Sequence, residues 1–237
     1  MVQVVPQYPQ YPQYPQYPLD ATGLQRQTLR LYGELLARRP SWAGKLVFAC
    51  GEGAAGTGLA AAGCIAGGTS LVVDPDAAGV KAAMRQGGVD FVVNTLDEAL
   101  RGLKNQIRQG RPLGVALIAE PEAVVGEMVE RGVLPDLLVE IGDGKGWLEE
   151  AGMQRLRLGR EARGVVAQSG VLARWLEERG WVEGVFEAGT AAEMRAVDAR
   201  VMEGLAVEDS VRRLWVQRIS QYQRGSGGRV VWVGGHS

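Results

Sequence analysis

The sequence predicts an α/β protein with a doubly wound parallel sheet. Short apolar segments alternate with helical segments of about ten to fifteen residues, and a glycine-rich turn follows the first apolar segment. The chain has 237 residues, of which 46% are hydrophobic and 22% are charged, so it can bury a sizeable core. Strands that alternate with helices are joined by right-handed helical crossovers. We therefore expect the strands to run parallel, with helices on both faces of the sheet.

The first predicted element is a helix that precedes the sheet. Leucines recur at helical spacing from Leu24 to Leu36, and Arg39-Pro40 ends the run, which predicts a helix of about four turns. The next segment, 46–50, is apolar and bounded by glycines. This pattern is typical of a buried parallel strand.

The alternation continues beyond this strand. Further strands are predicted over 69–73, 91–93, 113–118 and 137–140, and helices over 54–66, 76–86, 95–109 and 122–131. Thr95 and Glu98 have the spacing of a capping box, with Thr95 as N-cap and Glu98 bonding back to it. Beyond residue 140 the pattern weakens into a loop. A mainly helical region follows, with helices over 170–179, 191–202 and 207–224 and a last strand over 229–233.

Charge and hydropathy exclude several classes of partner. Lys and Arg number 26 against 27 Asp and Glu, so the net charge of -1 gives no global attraction to nucleic acid or to an acidic membrane surface. No segment approaches the ~20 consecutive apolar residues of a membrane span, and no secretory signal pattern begins the chain. We therefore expect a cytoplasmic protein with small-molecule or protein partners. Cys50 and Cys64 are expected to be buried, reduced thiols outside any metal site.

The N-terminus carries a Pro-Gln-Tyr repeat that runs from Pro6 to Tyr17 and is closed by Pro18. A polyproline II helix has three residues per turn, so the tyrosines would line one edge of an extended arm. We expect residues 1–19 to form this arm and residues 20–237 to form the domain. The arm could lie in an apolar groove of its own or a partner subunit, which would make a homodimer, or bind a proline-recognition module. A low-complexity tail without a specific role is the alternative.

The glycine-rich turn is a complete G-x-G-x-x-G motif, Gly51-Glu52-Gly53-Ala54-Ala55-Gly56. The first glycine permits a tight turn, the second admits a pyrophosphate, and the third lets the helix pack closely on the strand. Asp74 follows the second strand at the distance expected of the ribose-binding acid, and an acid there favours NAD over NADP. The motif thus predicts a Rossmann-like dinucleotide site. A glycine turn that only packs a helix is the alternative, and Glu52 favours it because its carboxylate would repel a pyrophosphate.

Further motifs accompany the glycine run. They are Ala66-Gly67-Gly68-Thr69-Ser70-Leu71, Leu96-Asp97-Glu98-Ala99-Leu100, Gly110-Arg111-Pro112-Leu113 and Arg131-Gly132-Val133-Leu134-Pro135-Asp136. Together with residues 50–58 they resemble the central NAD-binding domain of urocanase (urocanate hydratase), a lyase of histidine breakdown. The resemblance implies NAD binding through Gly53 to Gly56, with Asp74 on the ribose. In that family the nicotinamide carbon adds to the imidazole of urocanate so that water can be added.

The sequence departs from the family at several sites. Gly79 stands where the family has an arginine near the adenosine, Glu120-Pro121 replaces an Asn-Ala pair, and 141–145 replaces a Gln-Thr-Ser-Ala-His loop. The family's active-site cysteine segment, Phe-Cys-Glu-Gly, has no counterpart, and the one histidine, His236, lies beside the C-terminus, where we expect a frayed end. Autonomous urocanate hydratase activity is therefore not expected, and no catalytic residue is assigned.

Three hypotheses remain at this point. The first is a catalytically reduced urocanase-like domain that binds NAD or a related nucleotide. The second is an assembly or regulatory partner that has lost the cofactor and docks through the arm. The third is one part of a split urocanate hydratase.

The predicted cofactor-binding residues are Gly51, Gly53, Ala54, Ala55, Gly56, Asp74, Glu120 and Asp143, with Lys145 as a further weak candidate on the same loop as Asp143. Trp175, Trp181, Trp215 and Trp232 are expected to pack in the core.

Overall fold

A computed structural model describes residues 21–50, 54–141, 153–160, 165–223 and 227–234, and the Pro-Gln-Tyr arm lies outside them. Helices and strands alternate from the first element through β5, as the sequence predicts. The helices are α1 (Ala21–Arg38), α2 (Ala54–Ile65), α3 (Ala77–Arg85), α4 (Leu96–Gln109), α5 (Pro121–Glu130), α6 (Gly170–Glu177), α7 (Ala191–Glu203) and α8 (Ser210–Tyr222). The strands are β1 (Leu46–Cys50), β2 (Thr69–Val73), β3 (Phe91–Val93), β4 (Leu113–Leu117), β5 (Leu137–Ile141), β6 (Arg155–Leu158), β7 (Trp181–Glu187) and β8 (Gly228–Gly234).

Six strands form one parallel sheet in the order β3-β4-β2-β1-β5-β6. The central strands β1, β2 and β5 are apolar and almost wholly buried, as expected of strands covered on both faces. In β1, Val47 and Ala49 face the core that contains α1 and α2, whereas Leu46 and Phe48 face the core under α4 and α5. Helices on both faces confirm the doubly wound, Rossmann-like fold.

The region after β5 is more mixed than the sequence predicts. The predicted helices are present as α6, α7 and α8, but β6 and β7 were not predicted. The predicted last strand is present as β8, and it pairs antiparallel with β7 in a separate two-stranded sheet. This two-stranded sheet packs on α1, where Gln25 bonds the Gly228 carbonyl and the Val230 N–H. The C-terminal elements thus share a core with the first helix.

The helix caps differ in one detail from the prediction. Thr95 accepts a hydrogen bond from the Glu98 N–H, as predicted, but the Glu98 carboxylate bonds the N–H of Asn94 and not that of Thr95. A complete capping box occurs instead at α7, between Thr190 and Glu193.

An aromatic cluster joins α1, α6, α8 and the two-stranded sheet of β7 and β8. Trp215 and Trp232 are buried and stack on Tyr32, while Trp175 and Trp181 contact Trp232. The prediction that these tryptophans pack in the core is confirmed. Among the described helices, none combines the length and apolar character that a membrane crossing requires.

Candidate functional site

The candidate site lies at the carboxyl edge of the parallel sheet, beside β1. The chain passes from β1 to its neighbour β2 on one side, and later from β4 to β5 on the other side of β1. Crossovers that diverge in this way leave a crevice outside the strand ends, which is where ligands bind in open α/β sheets.

Helix α2 begins at this crevice. It starts at Ala54, four residues after β1 ends at Cys50, and its first turn contains Ala55 and the buried Gly56. The first N–H groups of a helix lack partners within the helix, and its N-terminus carries partial positive charge. The predicted residues Gly51 and Gly53 lie outside the described residues. The described part of the motif therefore provides a helix N-terminus that can hold an anionic group.

Small residues let α2 lie very close to its neighbours. A Cβ on Gly63 would come within 2.1 Å of the Ser70 Oγ on β2, and one on Gly58 would meet the Gln27 side chain of α1 at 3.2 Å. The sequence assigns close helix packing to the third glycine of the motif, but these two later glycines also have that role. Bulky residues at either position would push α2 away from the sheet or from α1.

Asp74 directly follows β2 at the same edge. Its side chain is buried, its Oδ1 accepts the Asp76 N–H at 2.8 Å, and its own N–H donates to the Leu117 carbonyl. Asp76 in turn caps α3 by accepting the Ala78 N–H. These bonds hold the Asp74 carboxylate at the end of the strand next to β1, where a ribose-binding acid is expected.

The other predicted residues are less constrained. Glu120 follows β4 and occupies the N-cap position of α5, but it is exposed and its side chain makes no capping hydrogen bond. Asp143 and Lys145 lie outside the described residues, as does His236. Gly79, in the first turn of α3, lies under the Asp76 carboxylate, since a Cβ there would be 2.5 Å from Oδ2.

A buried carboxylate that the sequence analysis missed lies on β5. Glu140 is 4% exposed, and its Oε2 accepts the Arg157 Nε–H of β6 at 2.8 Å. Its Oε1 is buried and has no hydrogen-bond partner among the described residues. The signal in the sequence was a charged residue inside an otherwise apolar strand, since buried acids are uncommon unless they are fully paired.

The two cysteines are in different settings. Cys64 is fully buried in α2, where its Sγ is 3.9 Å from Asp90 Oδ2, and burial raises the pKa of its thiol far above its usual range. Cys50 is half-buried at the end of β1. Because a raised pKa keeps the thiol protonated, Cys64 matches the prediction of a buried thiol, whereas Cys50 is only half-buried.

The chemistry of this edge is that of hydrogen-bond acceptors. Four carboxylates lie at this edge: Asp74 and Asp76 follow β2, Glu120 follows β4, and Glu140 is near the end of β5. Within the described ranges, no three His, Cys, Asp or Glu side chains are grouped so that they could hold a metal ion. The edge can thus accept hydrogen bonds from hydroxyl and amide groups, and an anion is best held by backbone N–H groups at the start of α2.

Comparison with known families identifies the domain that contains this edge. Residues 27–142 match the model of the urocanase Rossmann-like domain. The match covers just under half of the chain and identifies this central segment as a urocanase-like Rossmann domain. The match begins within α1 and ends just after β5, so it includes Gly56, Asp74, Glu120 and Glu140. The resemblance seen in the sequence is confirmed for this central domain.

Comparison with solved structures gives a weak similarity to one further protein. It is described as a cyclopropane-fatty-acyl-phospholipid synthase-like protein from Lactobacillus casei ATCC 334. The two sequences are 13% identical, the similarity covers 89% of this chain and 91% of that chain, and the TM-score is 0.31. Nothing about the site follows from a similarity at this level.

Proposed function

We propose that this protein binds NAD or a related nucleotide at the carboxyl edge of β1. The observation that carries the proposal is the placement of the α2 N-terminus and of the buried Asp74 at one edge, at the point where the crossovers diverge. This is the arrangement that dinucleotides use in Rossmann-like folds. The urocanase domain supports the same ligand, since that family binds NAD.

The residues at this edge fit such a ligand. The N–H groups of Ala54, Ala55 and Gly56 are in the first turn of α2 and would face the pyrophosphate. The Asp74 carboxylate, held by the Asp76 N–H, would accept a ribose hydroxyl. Because a carboxylate repels a 2′-phosphate, we expect NAD to bind more tightly than NADP.

We also propose that the chain lacks urocanate hydratase activity on its own. Urocanate carries a carboxylate, and a hydratase needs groups that bind that carboxylate and move protons. The described edge has the acids Asp74, Glu120 and Glu140, which accept hydrogen bonds and cannot donate them to the carboxylate of urocanate. Gly79, where the family has an arginine, has no side chain with which to bind a cofactor.

Isothermal titration calorimetry with NAD, NADH, NADP and ADP-ribose tests the binding proposal. We expect NAD to bind at least tenfold more tightly than NADP, since about 1.4 kcal/mol of repulsion is a factor of ten. Asp74→Asn should weaken NAD binding about tenfold. Glu130→Gln is the matched control, because Glu130 is an exposed carboxylate at the opposite end of α5. The absence of both heat and a thermal shift with millimolar nucleotides would contradict the proposal.

The activity proposal has a separate test. The purified protein should leave the absorbance of urocanate unchanged in the presence of saturating NAD. A decay that scales with protein concentration, and that is lost in Asp74→Asn, would contradict it.

A further inference from the structure

Glu140 is unusual because a buried ionised group normally has all of its hydrogen-bonding sites occupied. Its strand, β5, is otherwise apolar and fully buried. Of the two Glu140 carboxylate oxygens, Oε2 accepts the Arg157 Nε–H, and the Arg157 side chain is itself 58% exposed. The other oxygen, Oε1, lacks a donor among the described residues. A carboxylate oxygen without a donor in the protein can accept a hydrogen bond from a ligand.

The position of Glu140 relates it to the nucleotide site. The β1–β5 register pairs Ala49 with Val139, so the next residues, Cys50 and Glu140, lie side by side. Cys50 packs against the core under α4 and α5, and so does Leu138, whose side chain is on the same face as that of Glu140. Glu140 is therefore level with the last residue before the glycine motif.

Asp74 and Glu140 lie on opposite sides of β1. Asp74 follows β2, whereas Glu140 is on β5, and β1 lies between these strands. A dinucleotide lies across such a crevice with its pyrophosphate at the central helix N-terminus. If Asp74 takes the ribose of the adenosine half, the other half extends toward β5.

We infer that Glu140 is a binding residue for the non-adenosine half of the nucleotide and accepts a hydrogen bond through Oε1. The inference rests on the proposed function and names the part of the ligand that β5 recognises. A carboxylate oxygen accepts and does not donate, so this half of the ligand must present an O–H or N–H group. In NAD the terminal ribose hydroxyls and the nicotinamide carboxamide both supply such donors.

The test compares NAD, ADP-ribose and ADP on the full chain and on Glu140→Gln by calorimetry. Loss of a hydrogen bond to a charged group should weaken NAD binding about 10- to 100-fold. ADP lacks the terminal ribose and the carboxamide, so its affinity should change less than about twofold. ADP-ribose separates the two donors. If the ribose hydroxyls bind Glu140, the variant should weaken ADP-ribose binding as much as NAD binding. If the carboxamide binds Glu140, the affinity for ADP-ribose should change as little as that for ADP.

Two further variants keep the result interpretable. Glu140→Asp retains the charge but withdraws it by one methylene, so it should also weaken NAD binding selectively. Glu183→Gln changes a half-buried carboxylate on β7, which pairs with Arg30 of α1 far from the carboxyl edge, and should leave all three affinities unchanged.

The outcomes separate this inference from the proposed function. If the unmodified protein binds none of the three nucleotides, both are overturned. If NAD binds but Glu140→Gln changes NAD and ADP equally, or changes neither, only the role of Glu140 is overturned.

Discussion

Two buried glutamates in this protein show different degrees of hydrogen bonding. Glu34, on α1, is fully buried and accepts hydrogen bonds from the Ser169 N–H and hydroxyl, each at 2.7 Å, and from Arg38. Glu140, at the carboxyl edge, has one oxygen bonded by Arg157 and the other without a partner among the described residues. Glu34 thus has a complete set of donors, and Glu140 does not.

The difference distinguishes a structural carboxylate from a binding one. Glu34 fixes Ser169, which is the N-cap of α6, so its hydrogen bonds connect α1 to the C-terminal region. Leaving a buried acceptor unpaired costs about 1–3 kcal/mol, and more when it is charged. A fold tolerates that cost most readily where a ligand can remove it, which is the role inferred for Glu140.

The C-terminal region follows the pattern of Glu34. Arg229 is 1% exposed and makes two bonds to Asp198, at 2.6 and 2.8 Å. Arg212 is buried and bonds Asp209 and the Gly234 carbonyl. These buried charges connect α7 and α8 to the two-stranded sheet of β7 and β8, and each has a partner of opposite charge.

The largest expected effect tests this comparison directly. Glu34→Gln places an amide N–H group against donors from Ser169 or Arg38, and we expect a loss of about 3 kcal/mol in the free energy of unfolding. At about 2–4 °C per kcal/mol for a domain of this size, the melting temperature should fall by roughly 6–12 °C. Urea denaturation followed by circular dichroism measures the change.

Glu140→Gln is the matched variant for this prediction. Its ion pair involves the largely exposed Arg157, and its other oxygen has no hydrogen bond to lose among the described residues, so the loss should stay below about 1 kcal/mol. Equal losses for the two variants would remove the distinction between the two glutamates.

A smaller loss is expected from Gly33→Ala on α1. A Cβ at this position would lie 2.7 Å from the Leu172 side chain and 2.8 Å from the ring of Trp232, which is fixed in the aromatic cluster. Overpacking of this kind costs about 1–3 kcal/mol. Thermal denaturation should show the loss, and near-ultraviolet circular dichroism should report a changed tryptophan environment.

Gly126→Ala on α5 provides the control for Gly33→Ala. No described atom lies within 4 Å of a Cβ at Gly126, so only helix propensity changes. This variant should gain about 0.5–1 kcal/mol. A loss at both positions would indicate that the close approach of Trp232 is not the cause at Gly33.

The smallest expected effect concerns a surface pair near the amino end of α4. The Arg131 guanidinium beside Asp97 lowers the pKa of that carboxyl. A lowered pKa contributes stability above the ordinary pKa of aspartate, and that contribution is lost as the pH falls through the lowered pKa. Arg131→Gln should return the pKa of Asp97 toward its ordinary value, as measured by carboxyl NMR titration. An unchanged titration would show that the pair does not persist in solution.

The parallel strands were predictable because their burial is visible locally. The segments at β1, β2 and β5 are short and apolar, and glycine or proline residues lie close to them. The strands β6 and β7 gave no such signal. Their sequences, Arg-Leu-Arg-Leu and Trp-Val-Glu-Gly-Val-Phe-Glu, contain charges and a glycine, and β7 is paired only with β8, about forty residues further along the chain.

The site was predictable in part for a related reason. The order of strand, glycine motif, helix and Asp74 is a local pattern, so the sequence identifies it. The sequence predicts only that Glu140 ends a strand, and it does not predict the burial of this residue, because that burial depends on elements that surround it only after folding. The ion pair with Arg157 likewise depends on the pairing of β5 with β6.

The sequence by itself determined the doubly wound fold, the similarity of residues 27–142 to the urocanase Rossmann-like domain and the location of the glycine motif, because each rests on residues that are near one another in the chain. Only the tertiary structure decided that β7 and β8 form a separate two-stranded sheet on α1. It also decided that Glu34 is fully bonded while Glu140 retains an unbonded oxygen among the described residues. Burial and hydrogen-bond partners depend on segments far apart in sequence, so no local pattern contains them.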